Sequence, residues 1–206
     1  MRPVTAVLFD ADGVVQQPPP AWREAVGTLC GDPDRADEFL TGVFAAERPC
    51  LDGSADFRSA LGRVLAEWRS PVDVDEALSL WTRIDPHPGI LSIVAAVRRA
   101  GISVALASNQ QSHRAAFMTS ALGYAARFDH LLYSCELGCA KPSAEYFRAA
   151  LERLRAQPGD VLFLDDHEQN VTAARACGLR AERFHVSEGA TQLERVLRRN
   201  GVSIAA

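Results

Sequence analysis

The stretch Thr5-Ala6-Val7-Leu8-Phe9-Asp10-Ala11-Asp12-Gly13 decides how this chain is read. TAVLF runs without a charged residue, and then two aspartates and a glycine end the run. A strand with one wet face would alternate apolar and polar residues. A continuous run of this length instead predicts a strand covered by helices on both faces, as in a parallel sheet. Two more runs share the form: Ser103–Ala107 (SVALA) ends at Ser108-Asn109, and Val161–Leu164 (VLFL) ends at Asp165-Asp166. His130–Tyr133 and Ala181–Phe184 read as two further strands with a fainter pattern.

Helices fall between them. Pro88-Gly89 opens a helix through Ala100, with Ile90, Ile93, Val94 and Val97 at helical spacing and Gly101 as its stop. Gln110–Leu122 is closed by Gly123 and Glu168–Cys177 by Gly178; Ser143–Leu154 and Thr191–Arg199 complete the set. Strands alternating with helices predict an α/β fold, a doubly wound parallel sheet with right-handed crossovers.

Gln16 to Pro86 breaks this rhythm. The segment shows helical patterns and no convincing strand, with interruptions at Pro18–Pro20, Asp32-Pro33, Pro49 and Ser70-Pro71. The spacing of Trp22, Val26 and Leu29, then Phe39, Val43 and Phe44, then Phe57, Leu61, Val64, Leu65 and Trp68 predicts three or four amphipathic helices. The expected organisation is a core domain of residues 1–15 and 87–206, with an all-α insertion of residues 16–86 placed directly after the first strand.

Composition sets the outer bounds. At 206 residues, 48% hydrophobic and 23% charged, the chain suits one well-filled soluble domain with a smaller insert. A net charge of -4 argues against nucleic acid as a partner, since phosphate backbones are met by clustered Lys and Arg. The arginines lie scattered beside Asp and Glu and read as solvated faces. Five cysteines (Cys30, Cys50, Cys135, Cys139, Cys177) are an odd number without CxxC spacing, so reduced thiols are expected and a zinc site at Cys135 and Cys139 is not. The apolar run at Val4–Phe9 is cut by Asp10 too early for a signal peptide. No run approaches the ~20 apolar residues of a membrane helix, so no membrane partner is expected and the protein is placed in the cytoplasm.

Ligands of such sheets bind at the carboxyl ends of the strands. Asp10, Asp12, Ser108, Asn109, Asp165 and Asp166 all fall at those ends, and Lys141-Pro142 precedes a helix between them. Carboxylates gathered in one crevice repel each other unless a cation sits among them, and all-oxygen donors suit Mg²⁺. A lysine, a serine hydroxyl and free backbone N–H groups would stabilise the oxygens of a transferring phosphoryl group. Asp10 is placed to attack phosphorus and form an aspartyl-phosphate. Asp12, past a tight turn, can protonate the leaving oxygen and later deprotonate the attacking water. Gly13 lets the backbone turn beside the ligand.

The ordered set DADGV, ALASN, GCAKP and LFLDDHEQN resembles the four motifs of the haloacid dehalogenase-like superfamily of hydrolases, over nearly the whole chain. Adjacent Asp165-Asp166 with Asn170 is most similar to the branch holding sugar-phosphate phosphatases and the phosphatase domain of soluble epoxide hydrolase. The helical insertion resembles that branch's cap. The resemblance implies Asp10 as nucleophile and Mg²⁺ ligand, and Asp12 as acid/base with its carbonyl on the metal. Ser108 would bond the phosphoryl oxygens, with Asn109 assisting, and Lys141 would neutralise charge between Asp10 and the phosphoryl group. Asp166 would be the firmer metal ligand, Asp165 a ligand or the group that orients Lys141, and Asn170 a support behind them.

The expected activity is therefore hydrolysis of a small phosphorylated metabolite. A phosphomutase or other phosphotransferase would share these residues. Haloacid dehalogenases of the superfamily manage without the second aspartate and without metal, so Asp12 and Asp165-Asp166 count against that activity. An inactive binding module would require a lost motif, and none is lost. His167, Trp22, Trp68 and Trp81 are set aside as rim or core residues. Residues 16–86 would recognise the leaving group, and Pro49-Cys50-Leu51-Asp52-Gly53 is expected to form a loop near the site.

Overall fold

The computed structural model describes residues 3–204. β1 (Ala6–Phe9) is buried at all four positions, which is why its sequence shows no alternation. β2 (Gln16–Gln17) leads into four helices, α1 (Trp22–Gly27), α2 (Ala36–Glu47), α3 (Phe57–Glu67) and α4 (Val74–Trp81), and β3 (Asp85–Pro86) brings the chain back. β2 and β3 pair antiparallel, Gln16 opposite Pro86 and Gln17 opposite Asp85. No strand was expected here, so this pair is a correction. Two residues are too few for a period, and the pairing arises because the chain must leave and re-enter the sheet side by side.

The remainder alternates as expected. α5 (Pro88–Arg99), β4 (Ser103–Ser108), α6 (Ser112–Ser120), α7 (Tyr124–Arg127), β5 (His130–Tyr133), α8 (Ser134–Leu137) and α9 (Ala144–Leu154) come first. β6 (Val161–Asp165), α10 (Glu168–Ala176), β7 (Arg180–Arg183) and α11 (Ala190–Arg199) finish the chain. The strands lie in the order β5-β4-β1-β6-β7, and every neighbouring pair is parallel. α7 and α8 escaped the sequence reading, because four residues show no helical period. α6 starts two residues later than its pattern suggests. The Gln111 side chain accepts from the backbone N–H groups of His113 and Arg114, and this cap leaves Asn109 and Gln110 free to form a loop at the end of β4.

Successive residues of β1 point to opposite faces and join two cores. Val7 and Phe9 pack with Leu106, Leu164, the α5 residues Ile90, Val94 and Val97, and Leu193 of α11. Ala6 and Leu8 pack with Phe163, the α9 residues Tyr146, Phe147 and Ala150, and Val171 of α10. Burial of each large side chain stabilises by about 1.5–3 kcal/mol, so β1 is a firm place from which to hold a reacting group. The four helices between β2 and β3 bury a third cluster of their own, including Val26, Phe39, Phe57, Leu61 and Trp81. Their segment touches the sheet side at Gly53, where an added Cβ would lie 2.5 Å from the carbonyl oxygen of Cys135. All five cysteines are free thiols. No described helix is long and apolar enough to cross a membrane.

Candidate active site

β1, β4 and β6 are adjacent and parallel, with Phe9 level with both Leu106 and Leu164. The residues that follow therefore emerge at one edge, and Asp10, Ser108 and Asp165 meet there. A cavity of about 310 Å³ opens over them, lined by Asp10, Asp12, Ser108, Asn109, Lys141 and Asn170 among others. Six of the eight residues expected from the sequence face this one space. Asp165 and Asp166 sit behind and beside it.

Lys141 is the centre of charge. Its buried ammonium donates to Asp165 Oδ2 at 2.6 Å and to the Ala107 carbonyl at 2.8 Å, and lies 2.9 Å from Asp10 Oδ1. Burial alone would lower its pKa, but Asp10 and Asp165 outweigh that and hold it raised, so the cation persists. Asp10 Oδ1 also accepts from the Ala11 N–H at 2.7 Å, and among the described residues nothing donates to its Oδ2. Burial pushes the Asp10 carboxyl up; Lys141 pulls it down, Asp165 and Asp12 push again, and it settles at about 7.

Asp165 is wholly buried and its oxygens are taken, by Lys141, by Asn170 Nδ2 at 3.0 Å and by the His167 N–H at 2.8 Å. Of the two roles expected for it, orienting Lys141 is the one this geometry suits. Asn170 stands behind it. Asn109, expected to assist Ser108, instead holds the lysine loop: its Nδ2 donates to the Lys141 carbonyl and its Oδ1 accepts the Lys141 N–H, both at 2.8 Å. Ser108 is buried, and its hydroxyl accepts from Gln110 Nε2 at 3.2 Å.

Asp166 lies against the turn after Asp12. A Cβ on Gly13 would fall 2.6 Å from Asp166 Oδ2, and Gly13 has a φ of +81°. Glycine thus serves the turn and also lets the Asp166 carboxylate approach. Asp165, Asp166 and His167 each offer a donor atom within 4.8 Å of the others, although the His167 side chain is 71% exposed and its Nδ1 is 2.7 Å from Asp166 Oδ1. Asp10, Asp165 and Asp166 set three carboxylates against one lysine, because Asp12 is paired elsewhere. That surplus of negative charge and the unpartnered Asp10 Oδ2 fit a hard divalent cation held by oxygens.

The partner of Asp12 is the residue the sequence reading missed. Arg114 grips both carboxylate oxygens, at 2.9 and 3.0 Å, while Gln16 and Gln110 donate at 3.0 and 2.7 Å. Burial would raise the Asp12 pKa, yet the Arg114 charge and these hydrogen bonds overcome it and hold it below the ordinary value. Arg114 is three-quarters of a turn into α6, the helix that begins just beyond β4, so its side chain reaches back to the strand ends. That placement was the available signal. It was read as one more solvated arginine.

A second cavity of about 410 Å³ shares Asp12 and His167 with the first and extends towards α1, α2 and α4, where Trp22, Phe44, Glu47 and Trp81 line it. Trp22 and Trp81, set aside earlier as core residues, thus border the site as well. The expected loop Pro49–Gly53 meets α8 at Cys135, just beyond β5, and lines neither cavity. Burial raises the Glu47 carboxyl to about 7, with Arg114 opposing and Asp12 adding. A carboxyl with a raised folded pKa binds its proton more tightly when folded. That stabilisation is whole below about 4.5 and is lost as pH climbs through about 7. Glu47→Gln, which stays neutral, is therefore expected to gain on the parent by a few kcal/mol between pH 5 and 8. Thermal melts across that range check it, and a constant difference would refute it.

The chain resembles known proteins over most of its length. The chain is 25% identical over 180 residues to a phosphorylated carbohydrates phosphatase of Thermotoga maritima, covering 84% of this chain and 82% of that one. It is 29% identical over 94 residues to bifunctional epoxide hydrolase 2 of Rattus norvegicus, but this covers 44% of this chain and only 17% of that one. A HAD family enzyme from Bacteroides thetaiotaomicron, solved as a magnesium complex, has the same fold: TM-score 0.77, 19% identity, 94% of this chain and 100% of that one. The haloacid dehalogenase-like hydrolase profile matches residues 4–178, which carry β1 to β6, the helical segment and every aspartate of the site, and the chain belongs to that family.

Proposed function

We propose that this protein is a Mg²⁺-dependent phosphatase that hydrolyses a small phosphorylated metabolite through an aspartyl-phosphate on Asp10. The observation that carries the reading is the state of Asp10. Its Oδ1 is fixed by Lys141 and the Ala11 N–H, its Oδ2 is left without a donor, and it stands at the mouth of a cavity lined by Ser108 and Lys141.

In this reading Asp10 Oδ2 attacks phosphorus, the ester P–O bond breaks, and the leaving alkoxide takes a proton from Asp12. Water then attacks the acyl-phosphate, Asp12 recovers the proton, and inorganic phosphate leaves. Ser108 and Lys141 stabilise the phosphoryl oxygens. Asp10, the Asp12 carbonyl and Asp166 would hold the Mg²⁺, which neutralises charge on the phosphoryl oxygens when bound. The Arg114 pair suits the base half of the Asp12 role and opposes the acid half. Arg114 borders the second cavity, and entry of the leaving group there displaces it from Asp12. Residues 16–86 serve as a cap over the crevice, hinged at β2 and β3, and exclude water during the reaction.

The expected result is turnover of p-nitrophenyl phosphate with Mg²⁺ and none after chelation. Mg²⁺ with BeF₃⁻, which mimics the aspartyl-phosphate, should raise the melting temperature. Absence of both effects would favour a binding module, and phosphate reappearing on another carbon of a sugar would favour a mutase.

A further inference from the structure

The second cavity has a composition of its own. It begins at Asp12 and His167, where the phosphoryl cavity ends, so it is where the alcohol part of a phosphate ester must lie. Its walls on the helical side are Pro18, Trp22, Phe44 and Trp81, with the charged Glu47 and Arg83 among them, and most of the surface it exposes is apolar. Asp12, Arg114 and His167 stand at its inner end, where Asp12 and Arg114 share two hydrogen bonds and Arg114 Nε is buried without a partner among the described residues. Among the described residues, no Asn, Gln, Ser or Thr lines it.

A sugar carries a hydroxyl on nearly every carbon, and each buried hydroxyl needs a partner at hydrogen-bond distance or its desolvation goes uncompensated. A wall made mostly of indole and phenyl rings, with its hydrogen-bonding groups confined to a few charged side chains, offers few such partners. The same wall receives a flat apolar group well, through burial and edge or offset ring contacts. The rings are also fixed in place. Trp22 Nε1 donates to the Leu80 carbonyl at 2.8 Å, and the Trp22 and Trp81 rings meet edge to face at 5.9 Å. Phe44 adds an independent observation: at 48% exposed, it is the one large hydrophobic residue exposed among those described, and it stands on this cavity. Its ring adds to the apolar surface that the chamber offers a ligand.

Resting on the phosphatase reading, we propose that the substrate is a phosphate monoester of an apolar, ring-bearing alcohol, with the ring lodged against Trp22, Phe44 and Trp81. The chamber of about 410 Å³ accommodates such a group.

The test compares 2-phenylethyl phosphate with glucose 6-phosphate. Both would release primary alkoxides of similar basicity, so a preference reports on the alcohol pocket instead of leaving-group reactivity. Binding is measured by calorimetry with Mg²⁺ on the Asp10→Asn protein, which does not consume either ligand. The phenylethyl ester should bind at least tenfold more tightly, the return expected from burying a phenyl ring. Adding Phe44→Ala, at a half-exposed position that the folded core does not depend on, should reduce that ratio to within about threefold. Equal affinities, tighter binding of glucose 6-phosphate, or a ratio untouched by Phe44→Ala would each overturn the proposal. Turnover of p-nitrophenyl phosphate by the parent protein tests the phosphatase reading separately, so the two failures are told apart.

Discussion

Asp10→Asn is expected to lower kcat/KM on any phosphate ester by about ten-thousand-fold or more, because it removes the atom that would bond to phosphorus. The fold should survive. Asn keeps the shape of the side chain and keeps an acceptor for the Ala11 N–H, and Lys141 retains Asp165 at 2.6 Å. The variant also lacks a buried negative charge. Burial and the neighbouring Asp165 raise the Asp10 carboxyl to about 7 even against Lys141, so ionising it above neutral pH opposes folding. The extra stability of the protonated carboxyl is whole below 3.8 and gone above about 7. The melting temperature of Asp10→Asn should therefore improve relative to the parent as pH rises from 4 to 8, measured without Mg²⁺. Retained turnover in a folded Asp10→Asn protein would take Asp10 out of the mechanism.

Lys141→Met should remove turnover and much of the stability together. The Lys141 side chain is 2% exposed and balances two carboxylates, Asp10 at 2.9 Å and Asp165 at 2.6 Å. Removing one partner of a buried ion pair typically costs about 3–5 kcal/mol, because the charge left behind has neither water nor a counter-ion. In a chain of 206 residues this corresponds to a fall of roughly 10 °C in melting temperature. The loss should shrink as pH is lowered and the stranded carboxylates take up protons. Adding Asp165→Asn should recover part of the stability without any of the activity, since it removes one stranded charge but restores no cation beside the phosphoryl group. A Lys141→Met protein that melts with the parent at pH 8 would show that these carboxylates do not depend on the lysine.

Much of this site was legible because strand pattern and topology leave little choice. TAVLF, SVALA and VLFL fit doubly covered strands, and in a parallel sheet such strands present their carboxyl ends on the same edge. Asp10, Ser108 and Asp165 are far apart in sequence yet had to converge once those runs were recognised. Lys141 and Asn170 carried weaker local signals and were placed by the resemblance of the ordered motifs. The duty of Asn109 was not legible. Its amide could serve a phosphoryl group or a backbone loop equally well, and only the position of Lys141 across the crevice sends it to the loop.

Taken by itself, the sequence determined the sheet, its helical insertion and the edge at which the carboxylates collect, because each follows from hydrophobic period and chain direction, which are local properties. The tertiary structure alone decided that Arg114 would clasp Asp12, that Glu47 would stand half-buried near it, and that Trp22, Phe44 and Trp81 would wall a chamber beside the site. Those contacts join the helical segment and α6 to the strand ends. Their existence depends on how separately packed elements are oriented in space, and no period or motif along the chain encodes that orientation.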